Sequence, residues 1–276
     1  MSESAEERAA KVESNRALWD KWTALHLESD FYHVETFKAG DNRLSAYEIE
    51  EVGDVAGKDL LHMQCHFGLD TLSWARLGAN VTGVDYSGAA IAEARKLAQE
   101  VGLEGRFIQS NIYDLPSNLE GDFDIVYTSR GVLGWLPDLG RWADVIAHFL
   151  RPGGFFYITE AHPFMHVFDD DVDATELKVH YDYFSRNALV FPVKGSYAVP
   201  EADVDHDTEY GWDHPIGEIV TTLATHGLHI EFLHELPFLD WPAPFLVQEA
   251  EGRYVFPDGH KGSIPLMFSL KATKPA

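Results

Sequence analysis

The sequence predicts an α/β protein built on a parallel sheet with helices on both faces. Three observations carry this. Short apolar runs of strand length recur, of which Phe123–Thr128 (FDIVYT) is apolar enough to be buried on both faces. Segments with helical spacing separate them, the clearest placing Ala90, Ile91, Ala94, Leu97 and Ala98 on one stripe. Helix start and stop signals punctuate the alternation, which is the βαβα order that closes parallel sheets.

Each element can be justified in turn. The segment Ala5–Leu27 is expected to be a helix, with Leu18, Trp19, Trp22 and Leu25 at helical spacing. A polar, irregular stretch follows, and the texture changes at Lys58. Strand Asp59–Met63, helix Leu69–Leu77 and strand Asn80–Asp85 come next. Ser87 is placed to cap the following helix and Gly102 to end it. Arg106–Ile108 and Phe123–Thr128 are further strands. A helix carrying Trp142, Val145, Ile146, Phe149 and Leu150 on one face stops at Arg151-Pro152-Gly153-Gly154, and Gly154–Thr159 forms a fifth strand. The rhythm breaks over about 163–210, an irregular piece long enough to suggest a lid or substrate-side insertion. It resumes with a helix at Pro215–His226, Pro215 standing at its first position, and strands at Leu228–Leu233 and Leu266–Ala272. The expected organisation is an N-terminal helical or cap segment, 1–57, and a main domain, 58–276, containing the insertion.

Composition narrows the function classes. With 45 Asp+Glu against 21 Lys+Arg, the formal net charge is −24, a field that repels phosphate backbones and anionic membrane surfaces. Nucleic acid and membrane partners are therefore not expected. No apolar run approaches the roughly 18 to 20 residues of a membrane helix, and the charged start lacks the apolar core of a secretory signal. The single cysteine, Cys65, permits no disulfide framework, so a cytoplasmic setting is the default. Oligomeric state is not readable.

The chemistry is concentrated after the first strand, in LLHMQCHFGLDTLSWARLGANVTGVDYS from Leu60 to Ser87. Open α/β sheets bind ligands beyond the carboxyl ends of their strands. Asp85, ending the second strand, can accept from the two hydroxyls of a ribose. A pyrophosphate loop needs several glycines so that backbone N–H groups reach the phosphates. Here the loop reads Gln64-Cys65-His66-Phe67-Gly68, and His66 and Phe67 would crowd a pyrophosphate. That disfavours NAD or FAD and tolerates a nucleoside cofactor whose amino-acid tail lies over the loop. After the third strand, a side-chain oxygen of Asn111 can accept from an adenine amino group while the Ile112 N–H serves a ring nitrogen.

In these residues the chain resembles the class I S-adenosylmethionine-dependent methyltransferases over about 58–161 and 212–272. Laid on that family's first motif, acid-x-Gly-x-Gly-x-Gly, His62 falls on the acid, Gln64 and His66 on two glycines, and Gly68 on the third. Asp85 falls on the ribose acid and Asn111 on the adenine-site Asp; LRPGGFFYITE and LMFSLKA match the fifth strand and the reversed seventh. More narrowly, the chain is similar to a bacterial small-molecule subset carrying LQCHFGxDT, with WLPDL at Trp135–Leu139, EAHPF at Glu160–Phe164 and Trp-x-His at Trp212–His214. The resemblance implies a Rossmann-like sheet of seven strands, mostly parallel with the last reversed. It implies S-adenosyl-L-methionine as cofactor, held by Tyr32, Gln64, Cys65, His66, Gly68, Asp85, Tyr86, Asn111, Ile112 and Ser129.

Methyl transfer is an in-line displacement, so the protein must position a nucleophile, exclude water and take up any proton released. Glu160 and His162 sit just past the fifth strand. Glu160 reads as a general base or as an ion-paired carboxylate; His162 as a base or as a loop-stabilising hydrogen bond. His214 is either catalytic or a helix cap, and Trp212 either stabilises a developing cation through its π face or is core. Trp19 and Trp22 read as core, and Cys65 as a small buried residue beneath the cofactor rather than a reactive thiol. His162, His166 and Asp169–Asp171 lack metal-ligand spacing, so no metal is expected. Thr128-Ser129-Arg130-Gly131 stands where DNA-base amino-methyltransferases carry an Asn/Asp-Pro-Pro-aromatic motif. The expected activity is S-adenosylmethionine-dependent methyl transfer to a small, apolar or aromatic acceptor at O, N or C. The competing readings are a non-catalytic nucleoside binder and an NAD-linked oxidoreductase.

Overall fold

The computed structural model describes residues 3–168, 177–243, 245–257 and 259–276. The N-terminal segment is helical: α1 (Ala5–Glu28), α2 (Val34–Ala39) and α3 (Ala46–Val52). Helix α1 opens on a capping box in which Ser4 and Glu7 satisfy each other's backbone N–H groups. The stretch expected to be irregular instead holds α2, and α3 follows it, started by a capping box of Ser45 with Glu48. Both helices are too short for periodicity to reveal them.

The alternation predicted from Lys58 onward is present. It runs β1 (Asp59–Met63), α4 (Leu69–Arg76), β2 (Asn80–Asp85), α5 (Gly88–Glu100), β3 (Arg106–Gln109), α6 (Leu115–Asn118), β4 (Phe123–Thr128), α7 (Leu139–Phe149) and β5 (Leu150–Ala161). The fifth strand is longer than expected at both ends. Residues 163–210 are not wholly irregular: β6 (Leu189–Pro192) pairs antiparallel with β7 (Thr208–Gly211). Asp169, Asp170 and Asp171 lie outside the described residues. The chain finishes with α8 (Ile216–Thr225), β8 (His229–Leu236), β9 (Val247–Ala250), β10 (Arg253–Val255) and β11 (Met267–Thr273). Pro215 is the N-cap of α8 rather than its first residue, and β9–β10 is a hairpin in a connection expected to be irregular.

Seven strands form one sheet in the order β3-β2-β1-β4-β5-β11-β8. The register is parallel from β3 through β5, and β11 runs antiparallel to both β5 and β8. The expected reversed last strand therefore lies inside the sheet. Strand order turns about at β1 and β4, which places the ligand crevice outside their carboxyl ends. Helix α7 buries Leu139, Trp142, Ala143, Val145, Ile146 and Phe149 on one core, each large side chain contributing about 2 kcal/mol of transfer free energy. No described helix is long and apolar enough to cross a membrane.

Candidate functional site

The loop after β1 keeps a glycine-like backbone without the glycines. Gln64, His66 and Gly68 take φ values of 60°, 50° and 82°. At Gly68 the glycine is required twice over, because an added Cβ would also stand 2.8 Å from a ring carbon of Phe107. At Gln64 and His66 the left-handed conformation costs on the order of 1 kcal/mol each, and in return two polar side chains stand on the crevice floor. Cys65 lies buried under the loop, its thiol pushed well above the ordinary range by burial, which makes it inert.

Asp85, at the end of β2, is fixed by two backbone donors. His66 N–H donates to one carboxylate oxygen and Ser87 N–H to the other, each at 2.8 Å. Burial pushes its carboxyl up to about 6 against the opposing pull of these bonds. A carboxylate offers about four acceptor sites, so capacity for two further donors is left. Beside it, Tyr86 donates its hydroxyl to Glu13 at 2.8 Å. Across β3, the Asn111 side-chain oxygen accepts from Tyr113 N–H at 3.0 Å and starts a 3-10 turn at Ile112, so part of its expected acceptor capacity is spent within the chain.

His62, in the acid position, is fully buried and neutral, its pKa pushed down to about 3 by burial. Its two ring nitrogens meet Thr71 Oγ1 at 2.8 Å and Ser129 Oγ at 3.2 Å. It therefore ties α4 to the turn after β4 rather than facing outward as a charge.

Helix α1 lies over this edge. Asp20 accepts from Ser87 Oγ at 2.6 Å and from Ala89 N–H at 3.2 Å. His26, with 0% exposure, shares a hydrogen bond with His66 at 3.0 Å. Burial lowers both imidazoles, His26 to about 4 and His66 well below the ordinary value, so both are neutral. Aromatic rings surround the pair: Trp19 at 5.1 Å from His66, Tyr32 stacked at 5.1 Å on His26, and Tyr197 at 4.9 Å from His26. Trp135, from the turn after β4, packs 5.1 Å from Trp19, and the Tyr32 and Tyr197 hydroxyls bond each other. Trp19 thus belongs to the crevice wall, whereas Trp22, 2% exposed, donates to Gly195 O.

Glu160, the last residue but one of β5, and the residues past that strand serve mainly to hold the backbone around them. Glu160 is 4% exposed, and both its oxygens are taken by backbone donors: Gly131 at 2.5 Å and Ala161 at 2.8 Å on one, Val132 at 2.7 Å and Leu133 at 3.1 Å on the other. Such a carboxylate anchors the turn after β4 and has no lone pair free for a substrate proton. His162 accepts from Phe164 N–H at 3.1 Å and caps a 3-10 turn, the loop-stabilising alternative, with Glu235 at 3.1 Å from its other nitrogen. His214 does not cap α8; its Nε2 meets Leu136 O at 2.7 Å. Trp212 is buried, its backbone N–H donating to Gly134 O at 2.8 Å. Trp212 and His214 line a cleft of about 250 Å³ with Arg8, Pro137, Asp138 and Arg186.

Sequence reasoning missed His26, Asp20 and Arg130, and the wall residues Trp135 and Tyr197. His26 follows Trp19 and Trp22 at helical spacing on α1, a signal that places it on the same face. Asp20 and Arg130 carried none. Arg130 is held by Glu48, by Asp240 at 2.9 Å and by Ser45 Oγ at 3.0 Å, with Asp70 at 3.9 Å. Among the described residues, no group of three or more His, Cys, Asp or Glu is placed to hold a metal ion.

Comparison with known proteins agrees with this layout. Residues 61–158 match the methyltransferase domain family. The matched stretch runs from β1 into β5 and contains the loop, Asp85, Asn111 and Ser129. Ubiquinone biosynthesis O-methyltransferases from Cronobacter sakazakii and Nitrosococcus oceani are 29% and 33% identical over 153 and 129 residues. Those stretches cover 55% and 46% of this chain and 59% and 54% of the relatives, so the chain spans little more than half their length. Among solved structures, an S-adenosylmethionine-dependent methyltransferase from Mesorhizobium loti superposes with TM-score 0.56 at 18% identity, covering 86% of this chain and 99% of that one. Another from Clostridium acetobutylicum gives 0.55 at 14%, covering 96% and 99%. At these identities the likeness concerns the fold alone, a Rossmann-like sheet with helices on both faces.

Proposed function

We propose that the protein is an S-adenosylmethionine-dependent methyltransferase acting on a small, aromatic or apolar acceptor. The observation that carries this reading is the position of Asp85: a buried carboxylate at the end of β2, oriented by His66 and Ser87 N–H groups beside a loop too bulky for a pyrophosphate. The residues present fit the cofactor, because Gln64 Oε1, His66 Nδ1 and His26 Nε2 are buried polar atoms with no partner, two on the loop after β1 and one on the helix bonded to that loop. Such atoms cost about 1–3 kcal/mol each when left unmade and are satisfied by a polar ligand.

When bound, S-adenosylmethionine supplies an electrophilic methyl group on a sulfonium. Asp85 takes the ribose hydroxyls, Tyr86, Asn111 and Ile112 border the adenine, and the backbone of Gln64–Gly68 with Ser129 supports the methionine end. Tyr32, Trp19, Trp135 and Tyr197 wall the crevice, excluding water and offering flat apolar faces to a planar acceptor. The N-terminal segment and the insertion thereby serve as a substrate-side cover. Glu160 acts by holding Gly131–Leu133 in place, and we assign it no proton-transfer role. Trp212 and His214 shape the neighbouring cleft against the same turn.

The test is transfer of isotopically labelled methyl from S-adenosylmethionine to a panel of small phenolic and apolar acceptors, read by mass spectrometry. Labelled product is expected. Tight cofactor binding with no transfer to any small molecule in a host extract would favour a nucleoside-binding protein instead.

A further inference from the structure

The cleft lined by Trp212 and His214 holds charges of both signs that do not all meet. Two of its residues, Arg186 and Glu218, close on each other. Arg8, in the first turn of α1, does not: among the described residues its guanidinium makes no ion pair, and its Nε is buried without a partner. In a chain with 45 Asp+Glu this is not for want of acids, and Asp138 lines the same cleft. One Asp138 oxygen accepts Arg141 N–H at 3.0 Å and caps α7, which leaves most of the roughly four acceptor sites of a carboxylate unused. Both charges reach the Tyr113 hydroxyl, which accepts Asp138 N–H at 3.0 Å. Burial raises that hydroxyl, the Asp138 charge adds to the rise and Arg8 opposes it. Trp212, 6% exposed, also lines the cleft and leaves its indole Nε1 without a partner.

We propose that this cleft is a second ligand site, taking a small zwitterion of the amino-acid class. The α-carboxylate accepts from the Arg8 fork, in which Nε and one Nη donate in parallel, and the α-ammonium donates to Asp138. A plain anion fits less well, because acids outnumber arginines on the lining by three to two; a plain amine leaves Arg8 unanswered. The volume of about 250 Å³ exceeds the roughly 150 Å³ that holds a benzene ring, so a modest side chain has room against Pro137, Leu139 and Trp212. The site is separate from the crevice. At 1.5 Å per residue, Arg8 stands about 16 Å along α1 from Trp19, so the occupant is not the methyl acceptor. The two sites adjoin at the turn after β4, where Trp212 N–H and the His214 ring hold Gly134 O and Leu136 O while Trp135 packs on Trp19.

Saturation-transfer NMR with each common amino acid on the full chain tests this, followed by calorimetry with the strongest binder, its α-amide and its deaminated acid. Wild-type protein is expected to prefer the amino acid to both analogues. Arg8→Gln should bind the amino acid at least about tenfold more weakly, the size of a lost charge-assisted hydrogen bond, and no better than the amide. Asp138→Asn keeps an oxygen to cap α7 and should bind the amino acid no better than the deaminated acid. Asp85→Asn, in the crevice, should leave amino-acid affinity unchanged. Failure of every amino acid to bind wild-type protein would overturn the proposal, as would unaltered affinity in both cleft variants. A loss in Asp85→Asn equal to that in Arg8→Gln would also overturn it, because the amino acid would then sit in the crevice.

Discussion

Asp20 on α1 accepts a hydrogen bond from Ser87 Oγ at 2.6 Å, joining the N-terminal helix to the first turn of α5. The same oxygen takes Ala89 N–H, so the carboxylate stands at the positive end of α5. Ser87 meanwhile caps α5 by accepting from Ala90 N–H at 3.0 Å. The cover over the crevice is thereby fastened to the strand–helix unit that carries Asp85. Asp20→Ala should cost about 1 kcal/mol, in the range of a lost helix cap, and should expose α1 to limited proteolysis. An unchanged digestion pattern would mean that α1 is held by its aromatic face alone.

Asp85→Asn separates stability from binding. The folded-state carboxyl is raised above its ordinary 3.8 to about 6, chiefly by burial. The folded protein therefore takes up a proton before the unfolded chain does as pH falls. Ionising Asp85 opposes folding above that window, and the penalty fades between pH 6 and 4. At pH 7.5 relief of that penalty offsets the cost, about 1–3 kcal/mol, of turning the amide NH₂ toward His66 or Ser87 N–H, so the Tm of the amide variant should change little while most cofactor affinity is lost. In wild type, affinity should fall as pH drops below about 6, since the protonated acid loses acceptor sites. A binding curve flat from pH 7.5 to 5 would contradict this.

For Glu160→Gln the expected defect is in folding rather than in a chemical step. One carboxylate oxygen accepts Val132 and Leu133 N–H, the other Gly131 and Ala161 N–H. A glutamine must turn its amide NH₂ toward two donors, at a cost of about 3 kcal/mol. Urea denaturation should show that loss. A stable variant with a selectively slowed turnover would restore Glu160 as a base.

Arg130→Met removes the guanidinium that Glu48 and Asp240 share, with Asp70 3.9 Å from it. Glu48 has 0% exposure and its carboxyl is raised by burial, with Arg130 opposing. Leaving such acids unpaired should cost about 3–5 kcal/mol near neutral pH. Raised acids in the folded state favour folding as pH falls, so the variant should recover part of its loss at pH 5. An equal deficit at pH 8 and pH 5 would show that packing, not charge, is what Arg130 provides.

Most of the fold was legible because β1 through β5 and their helices carry long-period apolar patterns that only a doubly covered sheet satisfies. The cofactor edge was legible through Asp85 and the loop Gln64–Gly68, where residue type and position act locally. The missed pieces depend on contacts remote in sequence. Glu160 meets Gly131–Leu133 from the neighbouring strand end, so an acid placed like a catalytic base is consumed by backbone donors. His214 spends its ring on Leu136 O instead of a helix N-terminus. The helices α2 and α3 are shorter than two full periods of any apolar stripe, and His26 becomes meaningful only once α1 is laid against His66.

The most direct measurement is calorimetric titration of S-adenosylhomocysteine into wild-type protein and into Asp85→Asn at pH 7.5. Saturable one-to-one binding by wild type is predicted, weakened at least about a hundredfold in the variant by loss of two charge-assisted hydrogen bonds. Absence of binding by wild type, or equal affinity in both proteins, would contradict the assignment of this crevice to S-adenosylmethionine.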